Sequence, residues 1–254
     1  FQKSNLLNLV NLDGEKTIYT STESTAFVLS LIVNQINDQV FVVAENNEIV
    51  KNIFQDCQSF LGPKYPIFYI PEIETHPLSG LEKNSISLAE RNDALSRVIE
   101  LNGKPSLIFF SAFSLAQKIP EKKYFYNSLF DLKVGQNLEI SKLINELIKY
   151  GYKRTHTVES LGEFSVRGSL IDIFSAGQEL PIRVDFYEDF IDGIRVFDPA
   201  TQRTVGRQNN LIIRAIDYQN INNISEGSIT DLIGNSSCFA QINSKSSEHL
   251  VNQY

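Results

Sequence analysis

Apolar residues in the first quarter of the chain alternate between helical spacing and short continuous runs. TAFVLSLIVNQI (residues 25–36) is an apolar stretch of helical length, whereas QVFVVAE (39–45) is a β-branched run typical of a strand buried on both faces. NEIVKNIFQDCQSFLG (47–62) has apolar residues near helical spacing and stops at Gly62-Pro63, where a helix is expected to end. The pattern predicts helix, strand and helix in that order.

The same alternation continues to about residue 116. PIFYIP (66–71) predicts a second strand, and SLAERNDALSRVIEL (87–101) predicts an amphipathic helix. PSLIFFSAFSLA (105–116) predicts a third strand that runs into a short helix. Strands that alternate with helices indicate a parallel sheet covered by helices, as in nucleotide-binding α/β folds.

The pattern changes near Phe130. ISKLINELIKYGYKR (140–154) predicts a helix closed by Gly151. Three runs of period-two character follow: GEFSVRGSLIDIF (162–174), LPIRVDFYED (180–189) and FIDGIRVFD (190–198). A turn-rich SAGQE and a very short link near Asp189 join them, which favours antiparallel hairpins. One helix with a small antiparallel sheet indicates an inserted α+β domain.

These patterns predict an α/β protein whose first domain is interrupted. We expect residues 1–130 to form the first part of the α/β domain, 131–207 the α+β insert, and 208–254 the return to the first domain. LIIRAID (211–217) is strand-like, and it is followed by a polar tract rich in Asn and Ser.

Composition is that of a globular protein. The chain has 254 residues, 42% hydrophobic and 21% charged, enough for one large domain or two modest ones. No run of eighteen apolar residues occurs, and the first thirty positions carry charges in place of a targeting segment. We therefore expect a soluble, cytosolic protein, and a monomer is the default expectation. Because the chain begins at Phe1 and contains no Met, we expect the natural start to lie upstream.

The net charge indicates which class of partner to expect. A net charge of -7 disfavours a broad electrostatic grip on DNA, which rests on Lys and Arg neutralising phosphates. A protein partner is therefore favoured over nucleic acid.

The two cysteines, Cys57 and Cys238, are isolated in sequence. They are too few for a disulfide framework or a zinc site, and we interpret both as structural thiols.

No catalytic or cofactor motif is recognisable. A phosphate loop, GxxxxGK[ST], would precede the first long helix, but YTSTESTA (19–26) holds neither Gly nor Lys, and Glu23 adds negative charge there. Ser21 or Thr22 is expected to cap the helix instead. The histidines lack metal-ligand spacing: His76, His156 and His249. We predict no ATP held in the usual way, no other cofactor, no metal and no catalytic residue.

One long segment carries a family resemblance. GEFSVRGSLIDIFSAGQELPIRVDFYEDFIDGIRVFDPATQRT (162–204) keeps GEF-x-VRG, IDIF, ELP-x-R-x-DF, ID-x-IR and FD-x-x-TQR in order. It resembles the domain shared by UvrB and the transcription-repair coupling factor, often called Mfd. The missing phosphate loop, and a short THPLSG (75–80) where UvrB has a Tyr-rich hairpin, favour the coupling factor.

The resemblance implies a division of labour in nucleotide excision repair. The first domain would be a degenerate RecA/helicase-like scaffold, and the insert would bind UvrA. ATP binding, DNA translocation and contact with RNA polymerase would belong to other parts of the whole protein, so this chain would not itself be an enzyme.

Three residues are implied as the UvrA-binding site: Arg167, Arg183 and Tyr187. Strand parity supports an exposed face independently, because Ile182, Val184 and Phe186 alternate with Arg183, Asp185 and Tyr187. The same parity predicts Phe164 and Val166 facing inward, with Ser165 and Arg167 outward.

Alternatives stay open from the residues alone. Arg167 and Arg183 could pair with Asp172, Asp185 or Glu188 and merely support the insert. Other expected structural positions are Arg195 and Arg203, with Gly162 and Gly168 at turns or bulges and Glu188 and Asp189 in a solvated turn. Alternative functions are a fragment of a UvrB-type ATP-dependent repair helicase and a nucleic-acid-binding module.

Overall fold

The computed structural model describes residues 22–73, 85–217, 225–232 and 238–242. Within them the chain is a mixed α/β protein with both parallel and antiparallel sheets. The described residues form two compact units: 22–72, 100–117, 228–232 and 238–242 make the first, and 73, 85–99, 118–217 and 225–227 make the second. The domain bounds expected from the sequence stay a prediction.

Helices and strands follow one another along the chain. In order they are α1 Thr22–Val33, β1 Gln39–Ala44, α2 Asn47–Leu61, β2 Ile67–Ile70, α3 Ser85–Leu101, β3 Ser106–Ser111, α4 Ala112–Ala116, β4 Ile119–Pro120, α5 Lys122–Asn127, β5 Leu129–Lys133, α6 Ile140–Lys149, β6 Lys153–Arg154, β7 Glu163–Arg167, β8 Leu170–Ile173, β9 Ile182–Tyr187, β10 Phe190–Phe197, β11 Thr204–Gln208, β12 Asn210–Arg214, β13 Glu226–Gly227, a 3-10 turn Ile229–Leu232 and β14 Cys238–Ile242.

The first unit is built on a four-stranded parallel sheet in the order β14-β1-β3-β2. Every residue of β1 and of β3 is buried, as expected for central strands covered on both faces. Helix α2 begins where the Asn46 side chain accepts a hydrogen bond from the Ile49 amide at 3.0 Å, and it ends at Gly62 with φ 74°. The helix and strand predictions for this region are confirmed.

Cys57 belongs to the core of the first unit. It lies on the buried face of α2 with Val50 and Ile53, and its thiol is 3.6 Å from the Ala26 carbonyl. Burial raises its pKa to about 12. Cys238 is partly buried on β14, and both cysteines are free. Cys57 is therefore a structural thiol, as predicted.

The second unit is built on a six-stranded sheet in the order β11-β10-β9-β8-β7-β6. All neighbours are antiparallel except β6 and β7. Helix α6 buries Leu143 and Leu147 in a core that includes residues from four strands: Phe164, Ile171, Ile182, Val184, Phe186, Ile191 and Ile194. A separate two-stranded ribbon pairs β5 with β12.

Helix α6 ends at Lys149 and Gly151 follows with φ 87°, so the predicted closure of this helix at Gly151 is confirmed. Residues 153–154, at the end of the predicted helical run, form β6. Two other expectations differ from the structure. The first period-two run is a hairpin of two strands, β7 and β8, with Gly168 at φ 61° between them. Strand β12 pairs inside the second unit, whereas the strand that joins the parallel sheet of the first unit is β14.

Buried polar contacts tie helix α3 into the second unit. The Asn92 amide donates to the Ile216 carbonyl at 3.0 Å, and the Asp93 carboxylate lies 3.0 Å from Arg97 and 3.4 Å from Arg214. This helix was assigned to the first domain on sequence pattern. Its polar residues explain the difference, since their partners lie in the segment that contains the six-stranded sheet.

Some expectations fall outside the described residues. These are the segment before α1, including the cap position Ser21; the THPLSG segment; and the Asn-rich tract at 218–224. Within the described ranges, no helix is long and apolar enough to cross a membrane. The same residues contain no group of three or more His, Cys, Asp or Glu side chains that could hold a metal ion.

Candidate functional site

Strand β9 separates a buried face from an exposed one. Ile182, Val184 and Phe186 are buried in the core of the second unit, and the intervening side chains lie on the opposite side of the sheet. Tyr187 is 69% exposed. The alternation predicted from the sequence is confirmed, and we call the side that carries Arg167, Arg183 and Tyr187 the arginine face.

Strand register assembles the arginine face from five strands. Asp172 is directly opposite Ser165 on one side and Arg183 on the other, and Arg183 is opposite Arg195. Arg195 is in turn opposite Arg207. Because paired residues point to the same side of a sheet, these side chains form one row. A single buried carboxylate therefore lies beside a row of guanidinium groups.

Asp172 binds two of these arginines. Its side chain is 2% exposed. Arg183 donates to both carboxylate oxygens, from Nε to Oδ1 at 2.6 Å and from Nη2 to Oδ2 at 2.8 Å. Arg167 donates to Oδ2 from its own Nη2. Hydrogen bonding to Asp172 raises the pKa of Arg183 above its ordinary value. The alternative that Arg167 and Arg183 pair within the insert is thus what the structure contains.

The loop between β10 and β11 closes over the same arginines. The Arg183 guanidinium lies 4.5 Å from the centre of the buried Phe197 ring. Gln202 Oε1 accepts from Arg183 Nη2 at 3.0 Å and from Arg167 Nη2 at 3.4 Å. Asp198 shapes the loop by accepting from the Thr201 amide at 2.7 Å, which lowers the pKa of Asp198. Three residues of the FD-x-x-TQR segment therefore have structural roles: Phe197 and Gln202 contact Arg183, and Asp198 holds the loop.

Arg167 and Arg183 differ in how much of each side chain is exposed to solvent. The Arg183 side chain is 12% exposed and the Arg167 side chain 46%. Tyr187 pairs across the strands with Phe190, which is 46% exposed, so two aromatic rings face solvent at the end of the β9–β10 hairpin. Sequence reasoning did not single out Phe190. The signal was its position just across a two-residue turn from Tyr187, which places both side chains on one face.

A second arginine–aspartate pair lies on the same face. Arg195 Nε donates to Asp185 Oδ2 at 2.6 Å, which fits the structural role expected of Arg195. Arg203 contributes its backbone carbonyl to the Asp198 amide at 3.0 Å. Arg207 is exposed on the edge strand β11, and no ion pair involving it occurs among the residues described.

Ser165 was expected to face outward but is buried. Parity places it on the arginine face, opposite Asp172, as predicted. Its hydroxyl, however, donates to the His156 carbonyl at 2.8 Å, because the chain between β6 and β7 covers it. Gly162 and Gly168 do occupy turn positions, with φ of 88° and 61°.

The arrangement is suited to binding. Two carboxylates on the arginine face, Asp172 and Asp185, are each paired with an arginine. The side chains of this face that reach solvent include the cations of Arg167 and Arg207 and the rings of Tyr187 and Phe190. Arginine and aromatic side chains are enriched among the residues that dominate protein–protein binding energy.

Comparison with known proteins identifies the segment that carries this face. A family model described as the UvrB interaction domain matches residues 130–217. The chain therefore contains a UvrB interaction domain. All residues of the arginine face lie within the match.

Relatives extend the similarity beyond the interaction domain. The transcription-repair-coupling factor of Bacillus subtilis (strain 168) is 26% identical over 199 residues, which cover 73% of this chain and 16% of that protein. The protein of the same name from Myxococcus xanthus is 30% identical over 183 residues, which cover 70% and 15%. The resemblance stated from the sequence motifs is confirmed, and the chain spans about a sixth of the length of these relatives.

Proposed function

We propose that this chain is the UvrA-recruiting portion of a transcription-repair coupling factor. In this proposal the interaction domain binds UvrA through Arg167, Arg183 and Tyr187 on the arginine face. The relatives named as coupling factors support the cellular role, DNA repair coupled to transcription. The surrounding whole protein would supply DNA translocation and RNA polymerase binding in the cytoplasm.

One observation carries the proposal. The three residues implied by the family resemblance, which lie on two strands of the sheet, occupy the same exposed side of the interaction domain. Their chemistry is complementary to a protein surface that offers a carboxylate and an apolar side chain. The net charge of -7 supports a protein partner over the alternative of a nucleic acid.

The first unit is proposed to be a degenerate RecA/helicase-like scaffold. Its parallel sheet is of the type found in nucleotide-binding folds. Residues 19–26, where a phosphate loop would be expected, lack both Gly and Lys. We expect the purified chain to hydrolyse ATP no faster than buffer in a coupled ATPase assay, and turnover that persists through repurification would contradict this part of the proposal.

Calorimetric titration of the chain with UvrA tests the binding role. The parent chain is expected to bind, and Arg167→Ala is expected to weaken binding by at least about tenfold, because it removes the exposed cation next to Asp172 and Arg183. Lys142→Ala is the control, since it removes an exposed cation from α6, which packs on the buried side of the sheet, and it is expected to change affinity by less than about twofold.

Two outcomes would contradict the proposal. The first is no binding by the parent chain. The second is equal loss of affinity in Arg167→Ala and Lys142→Ala, which would indicate general charge attraction rather than a defined site. Tight binding of DNA that weakens steeply with salt would favour the nucleic-acid alternative instead.

A further inference from the structure

Asp172 has an unusual position in the interaction domain. It is a buried carboxylate on β8 with guanidinium groups from two other strands on it, Arg167 from β7 and Arg183 from β9. Burying a carboxylate is costly unless it is paired and hydrogen-bonded. Asp172 meets that requirement entirely with residues that the proposed function assigns to UvrA binding.

Arg183 is held on several sides at once. Its Nε and Nη2 groups donate to Asp172, Nη2 also donates to Gln202, and its guanidinium lies against Phe197. With only 12% of the side chain exposed, most of its donors point into the domain. An arginine bound in this bidentate way has one preferred orientation.

Arg167 is held at one end only. Its Nη2 group donates to Asp172 and Gln202, and no other hydrogen bond of this side chain occurs among the described residues. Nearly half of the side chain is exposed. Because a guanidinium carries five N–H donors in a planar fork, fixing Nη2 orients the remaining donors toward solvent.

We infer that Asp172 is the positioning residue of the UvrA-binding site. It fixes Arg183 as a support and orients Arg167 as the cation that meets a carboxylate of the partner. This inference rests on the proposed function and deepens it, because it assigns different roles to the two arginines. Gln202 also accepts a hydrogen bond from each of the two arginines.

The same face provides a matched control. Asp185 and Arg195 form an arginine–aspartate pair with similar geometry, on neighbouring strands of the same sheet. Removing either carboxylate subtracts one negative charge from one face. A difference between Asp172→Asn and Asp185→Asn therefore reports on position rather than on net charge.

The experiment compares these variants in the full 254-residue chain. Thermal unfolding establishes that each is folded, the NMR signals of the arginine Nε–H groups report whether Arg183 is held, and calorimetry measures affinity for UvrA. Asp172→Asn is expected to lose the Arg183 signal and to weaken binding by at least about tenfold, whereas Asp185→Asn keeps the Arg183 signal and binds within about twofold of the parent.

Gln202→Asn keeps the test decisive if Asp172→Asn does not fold. Gln202 has φ 59°, a conformation that Asn tolerates, and the shorter side chain withdraws its oxygen from both arginines without touching the buried charge. We expect this variant to bind UvrA about three- to tenfold more weakly, the effect of losing a typical hydrogen bond, because the contact of both arginines with Asp172 is kept.

Each remaining result overturns a specific statement. Parent-like affinity in a folded Asp172→Asn or, failing that, in Gln202→Asn overturns the positioning role, while the proposed function stands if Arg167→Ala still loses binding. Equal weakening by Asp172→Asn and Asp185→Asn also overturns it, because net charge would then account for both. A parent chain that does not bind UvrA overturns the proposed function and this inference together.

Discussion

Side chains on the arginine face differ in what they can offer a partner. Asp172 and Arg183 are mostly buried and satisfy each other, whereas Arg167, Tyr187 and Phe190 reach solvent. Binding energy at protein interfaces is concentrated in a few aromatic and arginine side chains that become desolvated on association. The exposed members of the face are therefore the ones expected to contact the partner directly.

Tyr187 should contribute through its ring. Tyr187→Ala is expected to weaken UvrA binding about thirtyfold, equivalent to the ~2 kcal/mol typical of an interface hot spot, whereas Tyr187→Phe should stay within about threefold because it keeps the apolar area. Tyr126→Ala removes a comparably exposed tyrosine from α5 and serves as the control. Calorimetry measures the affinity of each variant for UvrA. A Tyr187→Ala variant that binds like the parent would exclude Tyr187 from the site.

Individual side chains were the hardest features to predict. Period-two alternation correctly placed Arg183 and Tyr187 on one side of β9, because parity follows from strand geometry alone. Parity could not reveal that Ser165 is covered by a loop, or that Asp172 binds both arginines rather than one. The burial of Ser165 and the contacts of Asp172 depend on the order of the strands in the sheet and on the path of the loops. The pattern of apolar residues within one strand does not show either.

Turns of the interaction domain set the register of its strands. Gly168 permits the tight β7–β8 hairpin that brings Arg167 near Asp172, and Gly162 starts β7 beside Ile216. Both glycines have positive φ, a region that costs other residues about 1–2 kcal/mol. Only Gly162 is also crowded, since an added Cβ would lie 2.6 Å from Ile216 Cδ1.

A pair of alanine substitutions tests that difference. Gly168→Ala should lower the free energy of unfolding by about 1–2 kcal/mol, because only backbone strain is added. Gly162→Ala should lower it by about 2–3 kcal/mol, since the Cδ1 end of the buried Ile216 side chain must also move. Urea denaturation of the two variants measures both values. A larger loss in Gly168→Ala than in Gly162→Ala would contradict the crowding described at Gly162.

Strands and helices were predicted best where the apolar pattern was strong. β1, α2 and β3 follow from continuous or helically spaced apolar residues with clear end signals such as Gly62. The alternation at 162–174 predicts a single period-two run with a turn or bulge at Gly168, and the structure divides this run there into β7 and β8. Residues 85–99 of helix α3 belong to the second compact unit, which amphipathic spacing could not indicate because it does not say which sheet a helix covers.

The whole molecule combines two units with different predicted tasks. One is a parallel-sheet unit to which both early and late parts of the chain contribute, and the other contains the UvrB interaction domain. We propose that UvrA binds the arginine face and leaves the parallel-sheet unit free.

Hydrogen–deuterium exchange of the chain with and without UvrA tests this claim most directly. Protection is predicted in the turns that border the arginine face, at Gly168-Ser169 and Glu188-Asp189, and in the loop at 198–203, because bound UvrA would exclude solvent there. The turn at Asn102-Gly103 in the parallel-sheet unit should exchange as before. Protection confined to the parallel-sheet unit, or absent everywhere at saturating UvrA, would contradict the account.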